Sequence, residues 1–122
     1  MARASNIMRG GFSAGQAKAI NGAIATGLTA AGTVITDALD LTADTNAIGT
    51  CASGAGVQLP PTEIGDSVEV YNGGANACTV YPDTSTSQIN GLTAGNGFLL
   101  ATNTFCYCRK ITSTRWIANL SA

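Results

Sequence analysis

The chain has 122 residues, enough for one domain around a single core, and 45% of them are hydrophobic. Charged residues make up only 11%, with a formal net charge of −1, so the polar surface has to come from Thr, Ser, Asn and backbone at the 15 glycines. The three cations near the N-terminus are too few, and lack the aromatic interleaving, to make a nucleic-acid surface, no stretch reaches the roughly 20 apolar residues of a membrane helix, and the lack of histidine removes Ser-His-Asp, Cys-His, HExxH and Cys₂His₂ chemistry.

Residues 1–26 read as an N-terminal arm. They hold both methionines and Arg3, Arg9 and Lys18, and Ile7, Met8 and Phe12 show no strand alternation. Residues 13–20 can make a short helix with Ser13 as N-cap, weakened by Gly15. The bland reading is a floppy terminus, yet three large apolar residues are odd in a tail that buries nothing. Asn21, Gly22, Gly27 and Gly32 break the apolar run that follows the arginines, and no processing site comes after it. The expectation is therefore a chain made in a cytoplasm.

Charge is segregated along the chain. Arg109, Lys110 and Arg115 are the remaining cations, and all seven acids (Asp37, Asp40, Asp44, Glu63, Asp66, Glu69 and Asp83) lie between the two basic ends. Either these are solvated charges, or the basic arm meets an acidic surface of a partner or sister subunit.

Residues 27–122 read as one β-domain. Residues 33–42 favour a strand bulged near Asp37, with Leu39 and Leu41 inward and Asp40, Thr42 and Asp44 outward. Short strands follow over 46–51 and 56–59, and Pro60-Pro61 stops any ladder. In residues 66–82, Val68 and Val70 alternate with Glu69 and Tyr71, Asn72 to Asn76 supply turn residues, and Cys78 and Val80 resume the alternation. This predicts a β-hairpin with one apolar face. Residues 83–87 form a polar loop and 89–92 a turn, Phe98-Leu99-Leu100 a short strand. Over 104–111, Phe105, Tyr107 and Arg109 share one face and Cys106 and Cys108 the other; the last strand sets Trp116, Ala118 and Leu120 against Ile117 and Asn119. The recurrence of short strands with turn chemistry between them predicts an all-β fold, an antiparallel β-sandwich or small barrel of jelly-roll-like form.

No site for catalysis, a cofactor or a metal stands out. The carboxylates near Asp40 and near Asp66 look like outward-facing polar sets rather than a convergent acid and base. Cys106 and Cys108 fall on one sheet face about 7 Å apart, and the four cysteines are expected as reduced, buried small hydrophobes; a cross-strand disulfide from Cys78 to Cys106 or Cys108, or structural zinc, is the alternative. Residues 49–56 are glycine-rich but lack the lysine and helix of a phosphate loop. Asn119-Leu120-Ser121 has the form of a glycosylation acceptor, which means little in a terminal strand. Trp116, Tyr71, Tyr81 and Tyr107 are either core or a sugar-stacking platform.

Taken together, the order VQLPP, then GDSVEVYNGGANACTVYP, then INGL, an aromatic strand and a terminal WIANL resembles a domain of tailed-phage virion proteins, over roughly residues 27–120. The resemblance implies an all-β virion domain of the kind found in capsid decoration (cement) proteins and fibre-like appendages, without enzymatic activity. It implies a homotrimer on the capsid exterior whose partner is the major capsid protein. The arm lies outside the resemblance; from composition, Arg3, Ile7, Met8, Arg9 and Phe12 are the expected capsid contacts. The alternatives are a fibre or tail-tip component touching the host surface, and a carbohydrate-binding module.

Overall fold

The computed structural model describes residues 23–121. The strands are β1 (Ile24–Thr29), β2 (Leu39–Asp40), β3 (Thr45–Thr50), β4 (Gly56–Gln58), β5 (Ser67–Asn72), β6 (Cys78–Tyr81), β7 (Gln88–Ile89), β8 (Phe98–Leu100), β9 (Thr104–Thr112) and β10 (Arg115–Leu120). They form two sheets, a larger one in the order β1-β3-β5-β9-β10-β7 and a smaller one in the order β2-β4-β6-β8.

From β1 to β6 the chain alternates between the sheets. β1, β3 and β5 lie parallel in the larger sheet, so that Ile24 pairs with Thr45 and Thr45 with Glu69. β2, β4 and β6 lie parallel in the smaller one, where Leu39 pairs with Val57 and Val57 with Val80. Parallel neighbours cannot be joined by a tight hairpin. Here each crossover is the strand laid down in the opposite sheet, and the result is a short solenoid-like coil. The last strands close it in the antiparallel sense: β8 on β6, β9 on β5 and β10 on β9, with β7 parallel to β10 at the edge.

The all-β class agrees with the sequence; the pairing departs from an antiparallel jelly-roll-like sandwich or small barrel. The predicted hairpin over 66–82 shows why. β5 and β6 occupy the expected positions, but β5 pairs with β3 and β9, and β6 with β4 and β8. Val68 and Val70 face Cys78 and Val80 across one core, all buried. A period of two is the same whether two strands lie side by side or face each other, so alternation alone cannot separate the cases.

The connection between β5 and β6 is a corner held by asparagines. Buried Asn72 donates through Nδ2 to the carbonyls of Leu100 (2.8 Å) and Asn76 (2.9 Å), and its Oδ1 accepts from the Gly74 amide at 2.9 Å. Asn76 Nδ2 donates to the Cys51 carbonyl one coil away, at 2.9 Å. Gly74 is required by space: a Cβ there would sit 2.7 Å from the Cys51 nitrogen. Buried Asn46 plays a similar part at the start of β3, donating to the carbonyls of Ala43 and Glu69.

Two other local expectations differ. Of residues 33–42 only Leu39–Asp40 is strand, preceded by a 3₁₀ turn at Ile35–Asp37, although Leu41 is buried and Asp40, Thr42 and Asp44 are exposed as read. Gln88–Ile89, inside a stretch read as loop and turn, is a strand beside β10. The core gathers Leu41, Ile48, Val57, Leu59, Ile89, Leu100 and Trp116 around the two valine pairs.

Candidate functional site

The outer face of the larger sheet carries the most distinctive surface. In β9, Cys106, Cys108 and Lys110 point inward, which turns Phe105, Tyr107, Arg109 and Ile111 outward. Register completes the face: Tyr71 stands opposite Phe105, Glu69 opposite Tyr107, and Ser67 opposite Arg109. On the other side Arg109 lies opposite Ile117, and Tyr107 opposite Asn119. Tyr71, Phe105, Tyr107, Ile111 and Ile117 are each between 36% and 45% exposed, with Glu69, Arg109 and Asn119 among them, a grouping of aromatic and aliphatic side chains with charge that suits an interaction surface. The Tyr71 hydroxyl donates to Asn103 Oδ1 at 3.3 Å, and Glu69 Oε1 accepts from Thr45 Oγ1 at 2.9 Å.

The aromatics proposed as a platform are therefore divided. Tyr71 and Tyr107 share this face with Phe105. Trp116 is fully buried, and Tyr81 is on the smaller sheet, its hydroxyl donating to the Thr33 carbonyl at 3.1 Å. Phe105 was legible in the sequence beside Tyr107 and Arg109, but its register with Tyr71 was not, because the match depends on how β5 pairs with β9.

Beneath the face lies a buried ion pair. Lys110 Nζ donates to Asp83 Oδ2 at 2.7 Å and to the Thr62 carbonyl at 3.2 Å, and Trp116 Nε1 donates to Asp83 Oδ1 at 2.9 Å. The side chains of Lys110 and Asp83 are 10% and 3% exposed, and the ammonium lies 5.9 Å from the centroid of the Trp116 ring. Burial pushes the Asp83 pKa up, but the hydrogen bonds from Lys110, Trp116 and Ser87, with the Lys110 charge, outweigh it and hold the carboxyl below its ordinary value. With both charges satisfied, this group ties the loop after β6 to β9 and β10. A cation from the basic C-terminal end thus meets an acid from the middle within one chain.

The four cysteines are free and buried. Cys106 and Cys108 lean together along β9, with Sγ atoms 3.8 Å apart rather than the 7 Å of an ideal pleat, still well beyond a disulfide's roughly 2 Å. The expected alternative bridge from Cys78 is not formed. Burial, then the neighbouring Cys51 and Cys106, push the Cys78 thiol up to about 12; hydrogen bonding to Cys106, with burial, raises Cys108 as well. Both shifts favour the protonated thiol at Cys78 and Cys108, whereas metal binding and nucleophilic attack use the thiolate. Among the described residues no group of three or more His, Cys, Asp or Glu is placed to hold a metal ion.

Two of the surface carboxylates serve local structure. Asp44 accepts from the Ala23 amide and Asp66 from the Glu63 amide. Arg3, Ile7, Met8, Arg9 and Phe12, the expected capsid contacts, lie outside the described residues. Comparison with protein-family models, with curated proteins and with solved structures gave no match.

Proposed function

We propose that the chain is a structural component of a phage virion, a capsid decoration (cement) protein that binds the major capsid protein and stabilises the shell as a homotrimer on the capsid exterior. The observation that carries this reading is the outer face of the larger sheet, which groups exposed Tyr71, Phe105, Tyr107 and Ile117 in a two-sheet domain with few charged residues. Such a domain suits close packing among neighbours, and each of its buried polar groups described above has a structural role. The reading assigns it no catalysis and no cofactor.

The arm supplies the attachment. Ile7, Met8 and Phe12 bury against the shell, and Arg3 and Arg9 pair with acidic shell groups. The test is co-sedimentation of purified capsids with the intact chain and with a variant lacking residues 1–22, which precede the described fold. The intact chain is expected to pellet with capsids, and the truncated variant to remain in the supernatant. Equal binding by both would remove the basis for the arm's role.

A fibre or tail-tip component is the second reading. The solenoid-like coil favours it, because stacked coils extend along one axis. A handful of copies per particle, placed at the tail, would decide for it.

A further inference from the structure

We propose that copies of this chain associate through the outer face of the larger sheet, with Glu69 of one copy meeting Arg109 of the next. This rests on the self-association in the reading above and adds the surface and the residues that would carry it.

The two sheets present different faces to their surroundings. On the smaller sheet the outward positions include Asp40, Gln58, Thr79 and Tyr81, with Leu99 as the exposed large apolar group. The larger sheet presents Tyr71, Phe105, Tyr107 and Ile117 as neighbours in adjoining strands. Aromatic residues and arginine are the types enriched at protein interfaces. The ring of Tyr71 can be covered without stranding its hydroxyl, which is already bonded to Asn103.

Charge identifies the occupant as a second copy. Of the three described cations, Lys110 is tied to Asp83, and Arg115 donates to Gln88 Oε1 and the Asn90 carbonyl. Arg109 is exposed, and neither it nor Glu69 has an ion-pair partner among the described residues. Glu69 stands opposite Tyr107 and Arg109 opposite Ser67, one rung apart on that face of adjoining strands, so the face presents one charge of each sign. A wholly acidic or wholly basic partner would leave one of the two charges desolvated and unmatched, which is costly. A second copy offers the complement of both. Two faces related by a twofold axis, or faces repeated around a ring, both let Glu69 of one copy meet Arg109 of another.

The test is light scattering on the full chain over a concentration series, with Glu69→Arg, Arg109→Glu and the double exchange compared with wild type, and near-ultraviolet circular dichroism as the check of fold. Wild type should associate. Each single change should weaken association about tenfold or more through like charges, and the double exchange should restore it. A wild-type monomer throughout the series would overturn the inference, even for a protein that binds capsids. So would single variants that associate like wild type, or a folded double exchange that stays as weak as the single ones. Rescue by the double exchange would support this face even if capsid binding failed, so the outcome separates from that of the virion reading.

Discussion

At the scale of single residues, Asp83 is where the fold is most exposed to chemistry. Its carboxylate is buried and is matched by Lys110 and Trp116, so removing its charge leaves an ammonium buried without its anion. Asp83→Asn is expected to lose about 3–5 kcal/mol at neutral pH, measured by urea unfolding. The pH dependence follows from the lowered folded-state pKa. The stabilisation is fully present above the unfolded carboxylate value of about 3.9, and is lost as pH falls through the lower folded value. The gap between wild type and variant should therefore narrow in acid; a gap that is constant with pH would contradict the ion-pair account. The thiols give a second prediction at this scale. With all four buried and the Cys78 pKa near 12, none should react with an aromatic disulfide reagent in the native protein, and all four should react in denaturant. Rapid native labelling of any of the four would contradict their inert role.

At the scale of elements, the corner between β5 and β6 decides the topology. Asn72→Ala would strand the Gly74 amide and withdraw a donor from the Leu100 and Asn76 carbonyls, at an expected cost of about 1–3 kcal/mol in chemical denaturation. Backbone proton contacts in solution test the pairing directly. They should join Val80 to Val57 and Phe98, and Val70 to Asn46 and Cys106; a ladder joining Val70 to Val80 would restore the hairpin. The inward and outward faces of β5, β6 and β9 were legible in the sequence, because burying Val68, Val70, Cys106 and Cys108 fixes them. Their partners were not legible, since a corner and a hairpin bury the same side chains. β1 was missed for a different reason: Ile24–Thr29 is an edge strand in which Ile24 is 69% exposed, so it carries little apolar alternation to read.

At the scale of the whole molecule, the proposed function rests on two surfaces, the outer face of the larger sheet and the arm. The separate halves of the exposed face were visible in the sequence as Tyr71 and Glu69 in one strand and Phe105, Tyr107 and Arg109 in another. Their union was not, because it requires the β5–β9 register. The arm's expected role rests on composition alone, and the domain and the arm make separable claims: one on self-association, the other on attachment. The virion reading joins them by proposing one place on the particle. The most direct measurement is imaging of purified virions together with quantitative mass spectrometry of their proteins. The account predicts density for this domain on the outer surface of the shell, in a fixed stoichiometric ratio to the major capsid protein. Absence from the particle, or a few copies confined to the tail, would contradict it.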